Sequence, residues 1–224
     1  MTIPSFTAIY EAARTRLGAG ALEARLAKPR SPAELKAVPD DRYLSQMELR
    51  IFRAGLKHSL VDAKWPAFEE VFDGFEPRRV RAMSDEALEA LLGDRRLIRH
   101  WGKLKSVRDN AAAMIGVAEE HGSFGAWLAD WPGTGIVELW EALAKSFSQM
   151  GGNSGPSFLR MIGKDTFVLT HSVTAALKHW GAADAPPKNR KDRATVQSHF
   201  NAWAAETGRP LCQLSLILAA SVDE

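Results

Sequence analysis

The sequence has little cysteine and no long hydrophobic run. A single cysteine, Cys212, excludes an internal disulfide or a zinc site built from several cysteines, so nothing indicates an oxidising, secreted environment. The longest strongly apolar stretch, Leu214 to Ala220, falls well short of the roughly 20 residues that a membrane-spanning helix needs. The first residues lack the basic start and apolar core of a signal peptide. We therefore expect a cytoplasmic protein without a membrane partner.

The chain also carries little net charge. It has 29 basic and 27 acidic residues, which leaves a net charge of +2 over 224 residues. A protein held on DNA by bulk charge alone is usually more basic, so a nucleic-acid role would require local basic clusters. Hydrophobic residues make up 46% of the chain. That fraction, with so low a net charge, excludes intrinsic disorder as the main description.

The helical period dominates what is present. Apolar residues recur at steps of three or four, as in Leu139, Leu143 and Phe147, and glycine and proline residues separate such stretches. No useful length of the chain alternates with the two-residue period of a strand. We predict an all-α protein of roughly ten short helices. An N-terminal helical extension is expected over residues 1–35, followed by one helical domain over residues 36–224.

The segment from Phe158 to Val173 has the pattern of a helix–turn–helix. Gly163 stands between two apolar helical stripes, which predicts a turn over Met161–Lys164 and a second helix that begins near Asp165. Free backbone N–H groups at the start of such a helix can bind a phosphate oxygen. On pattern alone, a simple corner between two helices is the favoured alternative.

Basic clusters and tryptophans offer further candidates for nucleic-acid contact. A basic run from Arg95 to Arg108 places Arg99 and Lys103 on one helix face, where they can track a phosphate backbone; a solvated face is the alternative. The chain has 7 tryptophans, most of them expected in the core, although some can stack on a base. The histidines form no motif typical of a catalytic or metal site.

Several stretches together point to a known family. They are Ala54–Leu56, Phe75–Pro77, Leu97–Leu104 with its Ile-Arg-His-x-Gly-Lys run, and Gly151–Phe167. The first three resemble DNA-3-methyladenine glycosylase I, a member of the helix-hairpin-helix DNA glycosylase superfamily, and the fourth resembles the hairpin of that superfamily. The resemblance covers most of residues 38 to 222.

The resemblance implies an all-α enzyme of base-excision repair. Such an enzyme flips an alkylated purine, such as 3-methyladenine, out of duplex DNA and hydrolyses its N-glycosidic bond without a cofactor. An N3-alkylated adenine is cationic and already a good leaving group, so the enzyme mainly has to flip, stack and read it. We expect a monofunctional glycosylase without a lyase step. Its partner is double-stranded DNA with a damaged base, and the protein is expected to be a monomer.

Candidate site residues follow from the same resemblance. Glu48 and, as second choice, Asp165 are the candidate catalytic acids. His58, Trp65 and Trp101 are the candidate base-binding residues, and His58 falls where the family has a tryptophan. Six residues are expected to contact the DNA backbone: Arg99, Lys103, Ile162, Gly163, Lys164 and Thr166.

Departures from the family pattern keep other functions open. Arg50 falls where the family has its base-reading glutamate, and Val168 to Val173 lacks the acid that many superfamily members carry after the hairpin. The cysteine and histidine residues of the family's zinc site have no counterparts, so no metal is expected. The alternatives are a non-catalytic DNA-binding module on the same fold and a helical interaction protein.

Overall fold

The computed structural model describes residues 4–223. Every regular element in these residues is a helix and none is a strand, which confirms the predicted all-α class. They form fourteen α-helices and three short 3-10 helices. The number exceeds the predicted one because several helices, such as α2 and α3, have only 5 residues, too few to show a period in the sequence.

The α-helices α1 to α14 span, in order, Phe6–Leu17, Ala19–Glu23, Pro32–Lys36, Asp40–Arg53, His58–Val71, Pro77–Arg81, Asp85–Ala90, Trp101–His121, Phe124–Asp130, Ile136–Ser146, Ser154–Met161, His171–His179, Arg190–Thr207 and Leu211–Ala220. The 3-10 helices span Asp73–Phe75, Leu91–Gly93 and Gly133–Gly135. Within residues 4–223, no helix combines the length and the apolar character needed to cross a membrane.

The chain divides into two compact units. Among the described residues, the first unit comprises 4–30, 132–139 and 163–223, and the second comprises 31–131 and 140–162. Helices α1 and α2 therefore group with the C-terminal helices, and the domain boundary at residue 35 stays a prediction.

Aromatic packing explains why the N-terminal helix belongs to the first unit. The ring of Phe6 on α1 lies 5.5 Å from that of Trp203 on α13, and both side chains are buried. The indole Nε1 of Trp203 donates a hydrogen bond to the carbonyl oxygen of Pro4 at 3.0 Å. The backbone N–H of Phe6 donates to the carboxylate of Glu206 at 3.0 Å, which satisfies a free group at the helix start. These contacts hold α1 on the core of the unit.

The second unit is built around α8, which packs against α4, α6 and α9. On α4, the side chains of Leu44, Met47 and Ile51 are buried, so one apolar stripe of this helix forms part of the core. The hydroxyl of Tyr43 donates to the carbonyl oxygen of Leu35 at 2.7 Å. This packing fixes α4, which carries Glu48, and α8, which carries Trp101 and Lys103.

The helix predicted to begin near Asp165 is absent. Helix α11 ends at Met161 and Gly163 turns the chain with φ of +83°, as the pattern predicts. Residues 164–170 are not helical, however, and α12 begins at His171. The prediction of the second helix start was therefore wrong by six residues.

Side-chain packing explains why this segment stays extended. Phe167 stacks face to face on Phe200, with ring centroids 4.2 Å apart. The backbone N–H of Val168 donates to the hydroxyl of Ser215 at 3.4 Å, so a residue of α14 replaces a helical partner. The helix start falls instead after Thr170, whose hydroxyl accepts a hydrogen bond from the N–H of Val173 at 3.2 Å.

Candidate functional site

Glu48 lies on α4 and is fully buried. Its Oε1 accepts a hydrogen bond from Nδ2 of Asn110 at 2.7 Å, whereas its Oε2 has no partner. Burial raises the pKa of Glu48 to about 8, against a smaller lowering effect of the Asn110 hydrogen bond. The carboxyl is therefore mostly protonated at neutral pH. Its side chain is closed to solvent, and the catalytic role of Glu48 stays a prediction.

Asn110 connects Glu48 to the turn that follows α10. Its Nδ2 also donates to the carbonyl oxygen of Ser148 at 3.2 Å, and its Oδ1 accepts a hydrogen bond from the N–H of Ser148 at 2.7 Å. Asn110 is itself fully buried. The Glu48–Asn110–Ser148 network, named by these three residues, therefore fixes the turn to the core of the second unit. Hydrophobic spacing gave no signal for this role of Asn110.

The turn between α10 and α11 is exposed and rich in glycine. Gly151, Gly152 and Asn153 are exposed, and Gly152 has a positive φ of +59°. The N–H of Gly155 donates to the carbonyl oxygen of Met150 at 3.2 Å, which closes the turn at the start of α11. The pair Gly151-Gly152 was the sequence signal for this turn. It precedes α11, whereas the turn that we predicted as the hairpin follows α11.

The predicted hairpin over Met161–Lys164 does not expose its phosphate-binding candidates. Ile162, Lys164 and Thr166 are buried, with 3%, 7% and 0% of their surface exposed. The hydroxyl of Thr166 donates to the carbonyl oxygen of Phe167, and the carbonyl oxygen of Gly163 accepts from the N–H of Arg30 at 2.9 Å. A phosphate of duplex DNA cannot reach side chains that are closed to solvent, so this arrangement does not fit the predicted contact.

Asp165 holds the start of a different helix from the one predicted. Its Oδ2 accepts a hydrogen bond from the N–H of Leu211 at 3.0 Å, and its Oδ1 accepts one from the N–H of Cys212 at 2.9 Å. Both donors belong to the first turn of α14, whose free N–H groups favour a negative charge. The structure thus gives Asp165 a structural role, which competes with its predicted catalytic one.

The aromatic candidates for base binding separate into one core residue and two exposed ones. Trp65 is 9% exposed and stacks on Phe68 and Phe75, at centroid distances of 4.9 Å and 5.4 Å. Its Nε1 donates to the hydroxyl of Ser45 at 3.1 Å. Trp65 is therefore a core residue, and the prediction that it stacks on a base does not fit. His58 and Trp101 are exposed, and their contact with a base stays a prediction.

Basic side chains cluster where α4 ends beside α8. Nζ of Lys103 donates to the carbonyl oxygen of Ala54 at 2.7 Å, at the C-terminal end of α4. Arg50, in the last turn of α4, is partly buried, and its Nε is buried without a hydrogen-bond partner. Burial lowers the pKa of Lys103, and the neighbouring Arg50 lowers it further. Arg99 is exposed. Of the predicted backbone-contact residues, Arg99 is thus exposed, Lys103 and Gly163 are partly exposed, and the other three are buried.

Within residues 4–223, no group of three or more histidine, cysteine, aspartate or glutamate side chains is arranged to hold a metal ion. Cys212 is buried, and its Sγ lies 3.6 Å from the carbonyl oxygen of Ala27. The described part of the chain thus offers no candidate metal centre.

The pKa of Glu48 predicts a specific loss of stability with rising pH. A carboxyl whose folded pKa exceeds its unfolded value releases its proton first in the unfolded state. The contribution of Glu48 to stability therefore falls between the unfolded value of 4.5 and about 8 and levels off above it. The expected slope is about 1.4 kcal/mol per pH unit inside that window. The substitution Glu48→Gln removes this pH dependence, because glutamine does not titrate.

Urea unfolding of both proteins from pH 5 to pH 9 measures this effect. The difference between parent and Glu48→Gln isolates the carboxyl, because histidines and other groups titrate equally in the two proteins. Parallel stability curves across that range would show that Glu48 is not a buried, protonated acid.

Solved structures of DNA glycosylases share this fold. A crystal structure of 3-methyladenine DNA glycosylase I (TAG) has 24% identity and a TM-score of 0.51, and covers 61% of this chain and 82% of that one. The structure that describes 3-methyladenine recognition by the Staphylococcus aureus enzyme has 22% identity and a TM-score of 0.51, over 56% and 77% of the two chains. The 8-oxoguanine DNA glycosylase of Methanocaldococcus jannaschii has 16% identity and a TM-score of 0.54, over 95% and 92%.

At these identities the likeness concerns the fold, and it confirms the predicted helix-hairpin-helix glycosylase architecture. A search of the curated proteins gave no match.

A family-level comparison covers the part of the chain that holds the candidate site. The sequence model described as methyladenine glycosylase matches residues 36–151, which is more than half of the chain. The matched stretch contains Glu48, Asn110 and Lys103 and ends within the glycine-rich turn before α11. This protein therefore belongs to the methyladenine glycosylase family.

Proposed function

We propose that this protein is a DNA glycosylase of base-excision repair, which removes a modified purine from duplex DNA. The observation that carries the proposal is the family match over the stretch that includes the Glu48–Asn110–Ser148 network. In the reaction, water adds its oxygen to C1′ of the sugar while the bond from C1′ to the base nitrogen breaks. An uncharged base takes up the proton that water loses, whereas a cationic base leaves as a neutral molecule and the proton passes to solvent; in both cases an abasic site remains.

The glycine-rich turn before α11 is the part of the site that fits the DNA backbone. Glycine lacks a side chain, so the backbone N–H groups of Gly151 and Gly152 can approach a phosphate closely. Added Cβ atoms at both positions would meet no atom within 4 Å, so the space beside the turn is open. Contacts of this kind hold the duplex without reading its sequence. We assign the backbone contact to this turn instead of Met161–Lys164.

Glu48 acts in this proposal as a positioning residue. Its carboxyl holds Asn110, and Asn110 holds both backbone groups of Ser148, three residues before Gly151. The network therefore sets where the turn lies. Its effect on catalysis is indirect, because the side chain itself is closed to solvent.

Simple hydrolysis without a lyase step fits the amines of the site. A lyase step needs an uncharged amine that is free to attack C1′. Nζ of Lys103 is engaged with the carbonyl oxygens of Ala54 and Phe52, at 2.7 Å and 3.4 Å, and Lys164 is buried. Neither lysine is presented as a nucleophile, which supports the monofunctional reaction that the family resemblance implies.

An acid placed in the glycine-rich turn should weaken DNA binding. Gly151→Asp adds a negative charge in open space without a positive φ to strain the backbone. Because the charge opposes a phosphate, we expect about a tenfold loss of affinity for undamaged and damaged duplexes alike. Fluorescence anisotropy with labelled duplexes measures it. The matched control is Gly116→Asp, an exposed glycine of α8 with the same open surroundings. Equal affinities of the two variants would show that the turn does not contact DNA.

The activity itself is tested with defined damaged duplexes. Parent protein is incubated with duplexes that carry 3-methyladenine, 7-methylguanine or hypoxanthine, and hot alkali then cleaves at any abasic site. We expect alkali-dependent cleavage of at least one duplex and no strand break before alkali. Strand breaks without alkali would show that the protein has a lyase step and is not monofunctional.

A non-catalytic DNA-binding module is the second candidate. The observation that favours it is the lack of an accessible acid among the assigned residues, because Glu48 is closed to solvent and Asp165 caps α14. After the hairpin, where many superfamily members carry an acid, the start of α12 is capped by Thr170. Duplex binding that depends on Gly151, without abasic sites in any of the duplexes, would support this alternative.

A further inference from the structure

We infer that the basic cluster at the end of α4 binds the base, that the base is an uncharged purine with a 6-oxo group, such as hypoxanthine, and that Arg50 binds its acceptor edge beside Lys103. This inference rests on the proposed glycosylase function. It departs from the cationic 3-methyladenine that the family resemblance implies.

The site holds two cations that lack an ion-pair partner. Arg50 and Lys103 form no salt bridge with a carboxylate in the part of the chain that the structure describes, residues 4–223. Burial lowers the pKa of Arg50, the nearby Arg53 lowers it further, and Arg50 in turn lowers the pKa of Lys103. Arg53 differs from both, since its guanidinium lies 2.7 Å from Asp62. Arg50 and Lys103 therefore bring positive charge to the end of α4 that no carboxylate neutralises, although Nζ of Lys103 donates to the carbonyl oxygens of Ala54 and Phe52.

The fold leaves one donor of Arg50 without a hydrogen-bond acceptor, unlike Nζ of Lys103. Arg50 is partly buried, and its Nε finds no acceptor in the fold. A buried donor without an acceptor costs free energy, so a ligand that draws the guanidinium into a hydrogen bond would be favoured. Glu48 stands two residues away on α4, but it points to Asn110 and its pKa of about 8 leaves it mostly uncharged at neutral pH.

The hydrogen-bond donors of Arg50 and Lys103 determine which edge of a base they can bind. Arginine and lysine side chains carry hydrogen-bond donors and no acceptor. The O6 and N7 atoms of a 6-oxopurine are both acceptors, and they match the planar fork of a guanidinium. Adenine instead presents its N6 amino group, a donor, beside N7. A cationic base adds a third positive charge to Arg50 and Lys103, whereas an uncharged 6-oxopurine adds none.

Arg50 and Lys103 also favour the departure of an uncharged base. When the bond from C1′ to the base nitrogen breaks, its electron pair stays on the purine ring, which becomes negative until it takes a proton from solvent. Fixed positive charge beside O6 and N7 stabilises that developing charge. A cationic base leaves as a neutral molecule and gains no such stabilisation.

The experiment compares the effect of each variant across substrates, because cationic bases leave faster from any site. Single-turnover release is measured from duplexes with hypoxanthine (uncharged, 6-oxo), 8-oxoadenine (uncharged, 6-amino), 7-methylguanine (cationic, 6-oxo) and 3-methyladenine (cationic, 6-amino). Arg50→Gln should slow hypoxanthine release about tenfold to a hundredfold and leave 3-methyladenine within about threefold. Arg50→Glu should shift the preference further towards the two cationic bases.

Arg53→Gln is the matched control, because Arg53 lies on the same helix but is neutralised by Asp62; it should leave the preference unchanged. Binding of free hypoxanthine and free adenine to the parent protein gives a second readout, which needs no variant, and hypoxanthine should bind more tightly. Equal slowing of all four substrates by Arg50→Gln would place Arg50 on a phosphate and overturn the inference. So would a parent protein that releases 3-methyladenine with a preference that Arg50→Glu does not change. In both cases the glycosylase function stands, whereas no release from any duplex refutes that function itself.

Discussion

Alanine in place of Gly125 is expected to lower the free energy of unfolding by about 3 kcal/mol, because a side chain there must push two helices apart. The added Cβ would lie 2.5 Å from the carbonyl oxygen of Leu35 and 3.0 Å from Cε2 of Tyr43. The same carbonyl oxygen accepts the hydrogen bond of the Tyr43 hydroxyl. Neither neighbour can yield easily, since one is backbone and the other is fully buried. Urea unfolding at pH 7 measures the change.

Gly116→Ala is the control, and we expect it to change the free energy of unfolding in the opposite direction. Gly116 lies inside α8, is exposed, and has no atom within 4 Å of the position that a Cβ would take. Alanine there should raise the free energy of unfolding by about 0.5–1 kcal/mol, because glycine is the poorer helix former. Equal effects of the two substitutions would mean that α3 and α9 do not pack as closely as described.

Asn110→Ala is expected to cost about 3 kcal/mol and to weaken DNA binding as well. The change removes the hydrogen bond from Asn110 to Oε1 of Glu48 and both bonds that fasten Ser148. Buried groups then lose their partners, and the turn before Gly151 loses its attachment to α8. Urea unfolding gives the first effect, and anisotropy with duplex DNA at a temperature where the variant is folded gives the second.

The control for this variant is Asn201→Ala. Asn201 is a partly exposed residue of the first unit that donates to the carbonyl oxygen of Thr134 at 3.0 Å and accepts from Nε2 of Gln197 at 2.8 Å. Its loss should cost less than about 1 kcal/mol and leave DNA affinity unchanged. If Asn110→Ala keeps full DNA affinity while folded, the network does not position the glycine-rich turn.

The sequence predicts the helices well where one face alone is apolar. Of the stripe of Leu139, Leu143 and Phe147, the first two lie on α10 and Phe147 follows its last residue, and all three are buried as expected. The segment after Gly163 misled the prediction because Phe167 finds its partner, Phe200, more than thirty residues away in the sequence. A local pattern cannot contain such a contact.

The site was less predictable than the fold for the same reason. Helical spacing shows that Glu48 lies on α4, but only the packing of α8 shows that Asn110 covers it. Likewise, the core position of Trp65 depends on Phe75, which comes from a separate 3-10 helix. The basic run predicted an accessible Arg99, and Arg99 is exposed; the exposure of Trp101 was not predicted.

The most direct test of the glycosylase function is the release of free bases from damaged genomic DNA. Parent protein is incubated with DNA treated by an alkylating, a deaminating or an oxidising agent, and the soluble fraction is analysed by mass spectrometry. We predict an intact purine base that appears in step with one abasic site per molecule released, and we predict hypoxanthine among the products. Duplex binding with no base released from any of the three DNAs would contradict this function and leave a DNA-binding module.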